Sequence, residues 1–325
     1  MPLGYNRVLG DDRTRAESRP HRVALASWPT TAPDPRARSL DALIGHAQSA
    51  GYDGLELGPA SLERYFPGES PMAIARKSRD AIEKAGLQNF GTTLHFTDEE
   101  MRSLQFLELA REQLEPVVVL GGQFASYQLF IHPDHANGGG AYREDERYLS
   151  WAADRVTELR DLTWEHGLNF YLEVHVDRIT EDPAALCRIL ELATCELNGD
   201  MSHYLARGFT RGPHVGKIQG HVGHTHVRMA RKYGDLSAAV DDPKADWEAG
   251  GVTWQAFDFM KPALDGGLSS RSVVGESGPM HLVTDTLTLD ASLVPLYRAM
   301  ARYADASAQG MKMKVDEPGD LRPWG

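Results

Sequence analysis

Short apolar runs alternate with longer amphipathic ones along nearly the whole chain, from about residue 22 to residue 309. The runs RVALAS (22–27), GYDGLEL (51–57), NFGTTLHF (89–96) and FASYQLFIH (124–132) have the length and residue types of strands. So do NFYLEVHVD (169–177), ELNGDMSHY (196–204), GHVGHTHVRM (220–229) and RSVVGESG (271–278). Between them the pattern predicts helices. One lies around 38–50, where Leu40, Leu43, Ile44 and Ala47 recur at helical spacing, and one covers 72–86 with Gly86 as its stop signal. Others run onward from Thr97 and over 146–166, 182–195 and 288–305.

Strands that alternate with helices predict a parallel sheet, and eight repeats favour its closed form. The expected architecture is a single α/β domain, a (β/α)8 barrel over residues 22–309, with an N-terminal arm (1–21) and an irregular C-terminal tail (310–325). The rival, an open doubly wound sheet, lacks its G-x-G-x-x-G fingerprint after the first strand.

The strand YLEVHVD sharpens the picture. Leu172, Val174 and Val176 share one face, and Glu173, His175 and Asp177 share the other. Polar groups on so apolar a strand are costly to bury without partners. In a (β/α)8 barrel the chemistry sits at the C-terminal strand ends, where the sequence supplies partners. Strand six ends in Asp200 with His203 three residues on; strand seven carries His224, His226 and Arg228; strand eight brings Glu276; strands three and four end at His95 and His132.

Glu173, Asp200, His226 and Glu276 thus come from four consecutive strands about 4.8 Å apart. Three converging carboxylates repel unless some take up protons, and a divalent cation removes that penalty. Three oxygen ligands and one imidazole suit Mn2+ or Mg2+ best, with Co2+ or Zn2+ as second choices. His224 reads as a supporting or packing residue.

Composition narrows the partners. The chain has 325 residues, 42% of them apolar, enough for a sizeable core, and a formal net charge of -12. Such acidity argues against a nucleic-acid backbone as partner. Mean hydropathy is -0.40, and no run approaches the roughly 18–20 apolar residues of a membrane span. The N-terminal residues lack the apolar stretch of a signal peptide, and the two cysteines, Cys187 and Cys195, form no metal-type pair. A reduced, cytoplasmic setting and a small-molecule partner are expected.

The motifs YLEVHVD, GDMSHY, HTHVRMA and GESGP resemble the last four strand motifs of the xylose isomerase-like barrel superfamily, the sugar phosphate isomerases and epimerases. The resemblance spans roughly residues 22–305 and is most specific from 170 to 280. It implies one divalent metal held by Glu173, Asp200, His226 and Glu276, with His203 of the D-x-x-H motif on substrate oxygens. Where ketose epimerases of the family place a substrate arginine six residues after the metal histidine, this chain has Lys232, so Arg228 is the nearer candidate.

The resemblance also implies the chemistry: proton removal beside the carbonyl of a keto-sugar. Glu173 and Glu276 are the candidate acid–base pair and His175 an alternative base. His203, Arg228, His95, His132 and Trp247 are candidate substrate contacts. Trp247 and Trp254 lie on the long connection after strand seven. Loss of a leaving group in place of reprotonation would make the enzyme a lyase, as in the superfamily's C-glycoside deglycosidases, which act on 3-oxo-glycosides with a small second subunit. A non-catalytic sugar-binding barrel is a further alternative. Homo-oligomers are common in the superfamily, so one is expected.

Overall fold

Four of the outer helices begin on side chains suited to cap them. The Ser39 hydroxyl accepts from the Ala42 amide ahead of α1 (Leu40–Ala50), and Ser70 from Ala73 ahead of α2 (Pro71–Lys84). Asp145 accepts from the Arg147 and Tyr148 amides ahead of α4 (Glu146–Glu165), and Asp182 from Ala184 and Ala185 ahead of α5 (Pro183–Leu192). Such a cap is worth about 1 kcal/mol. The ring is completed by α3 (Phe106–Val119), α6 (Pro213–Gln219), α7 (Val252–Asp265) and α8 (Val294–Ala308). The computed structural model describes residues 22–26, 35–130, 144–209, 212–233, 240–265, 281–284 and 291–324.

The strands are β1 (Arg22–Ala26), β2 (Gly54–Glu56), β3 (Gln88–Phe96) and β4 (Phe124–Leu129), then β5 (Asn169–Glu173), β6 (Glu196–Asn198), β7 (Val222–Val227) and β8 (His281–Thr284). They pair in parallel, each with its neighbour in sequence, and the ring closes between β8 and β1. Arg22 lies opposite His281 at that closure, and Thr225 of β7 opposite Leu282. The expected (β/α)8 architecture is therefore observed.

Some bounds differ from the expectation. The strand that closes the ring is 281–284, whereas the sequence pattern favours 271–278; the latter segment lies outside the described residues, as do 1–21. β5 stops at Glu173 because the chain then turns: the Thr180 hydroxyl bonds to the Glu173 carbonyl (2.7 Å) and Asp177 adopts a left-handed backbone (φ 56°). The single helix expected from Thr97 is two. A turn over Asp98–Arg102 breaks at Ser103, which is extended (ψ 143°) and whose hydroxyl accepts from the Gln105 amide before α3.

Between sheet and helices, Leu25, Leu55, Leu94, Tyr127 and Leu172 pack against Ile74, Leu114, Val156, Leu159 and Leu186 in one continuous core. The Tyr127 hydroxyl, in that layer, meets the Thr163 hydroxyl at 2.6 Å. A second, smaller cluster lies within the ring: Ala24, Ala26, Phe90, Phe124 and Tyr171. Gly91 is required beside it, since a Cβ there would stand 2.7 Å from the Phe124 ring. Within the described residues no helix is long and apolar enough to cross a membrane.

The tail is partly ordered against the barrel. Val315 is buried, and the Trp247 indole donates to the carbonyls of Pro318 (2.8 Å) and Leu321 (3.2 Å).

Candidate active site and metal centre

The site is built upward from the inner aromatic cluster. Successive inward side chains of β7 are His224 and His226, and of β5 Tyr171 and Glu173. The His224 ring lies 4.3 Å from that of Phe124 and 5.4 Å from that of Tyr171, centroid to centroid. It therefore rests on the aromatic floor, in the supporting position the sequence suggests. One step up, His226 and Glu173 face each other, with Nδ1 of His226 3.5 Å from Oε1 of Glu173.

Each of these groups is held by a defined set of partners. Glu173 accepts from the Gln128 amide at Oε1 (2.9 Å) and from the Thr93 hydroxyl at Oε2 (3.0 Å). Nε2 of His226 lies 3.1 Å from both oxygens of Glu56, at the end of β2. The backbone amide of His226 donates to the side-chain oxygen Oδ1 of Asn198 (3.1 Å), which fixes the strand against β6. Two residues beyond β6, Asp200 bonds to Arg228 (2.6 Å), pairs with His203 (3.3 Å) and accepts from Ser202.

Burial and charge combine to keep the carboxylates ionised. Burial alone would raise Glu56 and Glu173, but His226 overrides it, with help from His224 and His175 respectively, leaving each at about 2. Burial would likewise raise Asp200, but Arg228 and then His203 hold it well below the usual carboxylate range. His226 moves the other way. Its burial disfavours charge, yet Glu56 and Glu173 raise it well above the usual imidazole value. Three buried carboxylates are thus held ionised around His226 and Arg228.

Closely set carboxylates that are already ionised suit a cation. One donor atom each from Glu173, Asp200 and His226 lie within 4.8 Å of one another, all three buried. Two carboxylates and an imidazole form a donor set appropriate to a divalent ion, so the residues present fit a metal centre. A second group, Glu56, His224 and His226, meets the same distance condition. In it the Glu56 carboxylate is already shared by the two imidazoles, with His224 Nε2 at 3.4 Å.

The structure brings Glu173, Asp200, His226, His203, Arg228 and His175 together. His175 and His203 stack with ring centroids 3.8 Å apart, and burial followed by the His203 charge pushes His175 down to about 3. The His175 ring also spends Nδ1 on the Val176 carbonyl (2.6 Å). His95 stands at the rim, 6.4 Å from the Phe130 ring. Glu276 and His132 lie outside the described residues.

Trp247 does not join this group. It is 2% exposed and packs against Trp254, Phe257 and Trp324, its indole N–H taken by the tail. Its sequence context, a long connection on the catalytic face, suggested a substrate contact. The tail's carbonyls offer a nearer partner.

Sequence reasoning passed over Glu56, Thr93, Gln128 and Asn198. For Glu56 a signal was present: it is a lone carboxylate between Leu55 and Leu57 in a buried strand, the same anomaly that marks Glu173.

Residues 44–257 match the family model described as the xylose isomerase-like TIM barrel. The chain belongs to that family.

Among solved structures, similarity extends to 3-keto-D-glucoside 4-epimerase from Escherichia coli (14% identity, TM-score 0.54, covering 88% of this chain and 99% of that one). A xylose isomerase-like TIM barrel protein from Mycobacterium smegmatis in complex with magnesium is 14% identical, with a TM-score of 0.57 over 88% of this chain and 97% of that one. A probable 3-DHS dehydratase from Bacillus anthracis is 11% identical, with a TM-score of 0.52 over 88% and 98%. At these identities the likeness is one of fold. No curated protein sequence matches the chain.

Proposed function

We propose that this protein is a divalent-metal-dependent enzyme of the sugar isomerase and epimerase type, which removes a proton beside the carbonyl of a keto-sugar or sugar derivative. The observation that carries this reading is the buried triad Glu173, Asp200 and His226 at the C-terminal ends of three consecutive strands. Glu276, the fourth ligand that the family resemblance implies, lies outside the described residues and precedes β8 (His281–Thr284) in sequence, so the triad alone carries the reading. Mn2+ or Mg2+ suits the donor set.

When bound, the ion supplies Lewis-acid polarisation of a carbonyl and its neighbouring hydroxyl, which acidifies the C–H between them. The chain's own groups do the rest. Glu173 is ionised at neutral pH and fixed by Gln128 and Thr93, so it presents a carboxylate of set direction to receive the proton. Glu276 is the proposed partner on the opposite face. His203 and Arg228, both buried beside Asp200, are placed to hold substrate oxygens. His175, neutral at physiological pH with Nδ1 on the Val176 carbonyl, is too weak a base at about 3 to serve as the alternative expected from the sequence, and offers Nε2 as a hydrogen-bond acceptor.

Deuterium exchange from solvent into a panel of keto-sugars, with and without Mn2+, tests the proposal. Exchange should need the metal and fall at least a hundredfold in Glu173→Gln. Release of a leaving group in place of exchange would identify elimination. No exchange and no release across the panel in metal-loaded protein would leave only a sugar-binding barrel.

A further inference from the structure

Gln128, whose side chain also bonds to His95, lies between two charged groups that agree on one orientation of its amide. On one side is Glu173, a carboxylate that only accepts; on the other is Arg178, a guanidinium that only donates. Arg178 reaches Gln128 Oε1 through Nε (3.2 Å) and Nη2 (3.0 Å), so the amide nitrogen must face Glu173 Oε1, which it meets at 2.9 Å. Glu173 alone already favours the nitrogen on its side, and Arg178 adds a second restraint by holding Oε1, so that its loss leaves the amide held at one end only.

Arg178 is not on a strand. It lies in the connection after β5, and several contacts fix that connection. Arg178 bridges antiparallel to Phe130, and the Ile179 amide donates to the Leu129 carbonyl (3.0 Å). The guanidinium carbon lies 3.5 Å from the centre of the Phe130 ring, and Nη1 donates to the Asp177 carbonyl (3.1 Å). The Thr180 hydroxyl ties the same connection back to the Glu173 carbonyl. A planar fork held over an aromatic ring has little freedom, which is what orienting a neighbouring amide requires.

We infer that Arg178 is a positioning residue for Glu173, acting through Gln128: the loop after β5 sets the direction in which the β5 carboxylate presents its oxygens. This inference rests on the proposed role of Glu173 as metal ligand and base. It adds a loop-borne group that touches neither metal nor substrate.

Mn2+ titrations of chelator-treated wild type, Arg178→Met, Gln128→Met and the double variant test it. Outer partners of a metal ligand typically change affinity ten- to a hundredfold. Each single substitution should weaken Mn2+ binding about tenfold. The double variant should be within twofold of Gln128→Met, because Arg178 then has nothing to act through. Losses that multiply to about a hundredfold, or wild-type affinity in Arg178→Met, would overturn the inference.

A second measurement needs no metal. In 15N-labelled, chelated protein the Gln128 carboxamide protons, assigned by their loss in Gln128→Met, should exchange slowly with D2O. In Arg178→Met, where Glu173 is the restraint that remains, they should exchange measurably faster, and equal rates in the two proteins would overturn the proposal. If wild type takes up no Mn2+, the metal-dependent function fails, while the carboxamide exchange still decides the role of Arg178.

Discussion

His226 is held from both sides of its ring, by Glu56 at Nε2 (3.1 Å) and by Glu173 at Nδ1 (3.5 Å). Glu56 comes from β2 and Glu173 from β5, so one imidazole spans the barrel interior. A metal-binding imidazole that gives its other nitrogen to a carboxylate is fixed in ring orientation and tautomer.

Removing that support should therefore weaken metal binding while leaving Glu173, Asp200 and His226 in place. Glu56→Gln is expected to lower Mn2+ affinity about ten- to a hundredfold, read by calorimetric titration of chelated protein. Unchanged affinity would show that Glu56 has no part in orienting His226.

The metal-free protein should lose stability in acid for a definable reason. Glu56 and Glu173 are depressed from 4.5 to about 2 in the folded state. Their contribution is fully present above pH ~4.5 and is lost as the pH falls toward 2, on the order of 3 kcal/mol for one such group. Because both share His226, the two contributions do not simply add. His226 is raised, so its contribution is present below pH ~6.5 and is lost as the pH climbs through its folded value. Urea unfolding of chelated protein should show a free energy that drops between pH 5 and 3, and a flat profile would contradict the assigned charges.

The Arg228–Asp200 pair is almost wholly inaccessible, with side chains 9% and 0% exposed. Breaking it strands a charge, at a cost of about 3–5 kcal/mol. Arg228→Met should lower the melting temperature of metal-free protein. Added Mn2+ should restore part of the loss, because a cation compensates Asp200 and binds only the folded form. A variant that melts like wild type in EDTA would rule this out.

Trp247 makes the opposite prediction. Trp247→Phe removes the indole N–H from Pro318 and Leu321 and should cost about 1–2 kcal/mol. Protease cleavage near residues 311–320 should quicken, while Mn2+ affinity stays within twofold of wild type. A large loss of metal affinity would return Trp247 to the active site.

The barrel and half of its centre were legible because period-2 alternation and strand order leave little freedom. Glu173, Asp200 and His226 stand out as polar ends on three successive apolar strands. Glu56 was hidden by the shortness of β2, three residues whose carboxylate has no motif beside it. Gln128 and Arg178 were hidden for a different cause: neither belongs to a ligand pattern, and their link exists only once the β5 connection lies against β4. The closing strand was misplaced because RSVVGESG carries glycine punctuation that His281–Thr284 lacks. Pairing with both β1 and β7 outweighs that local signal.

The inner cluster of Phe90, Phe124 and Tyr171 makes the barrel a cup and not a pipe. Among the described residues those rings close the barrel interior beneath Glu173, so approach to its carboxylate is from above. Enlarging that base, for instance by shortening Phe124, would be felt first as a sagging of His224 and only afterwards in the chemistry above it.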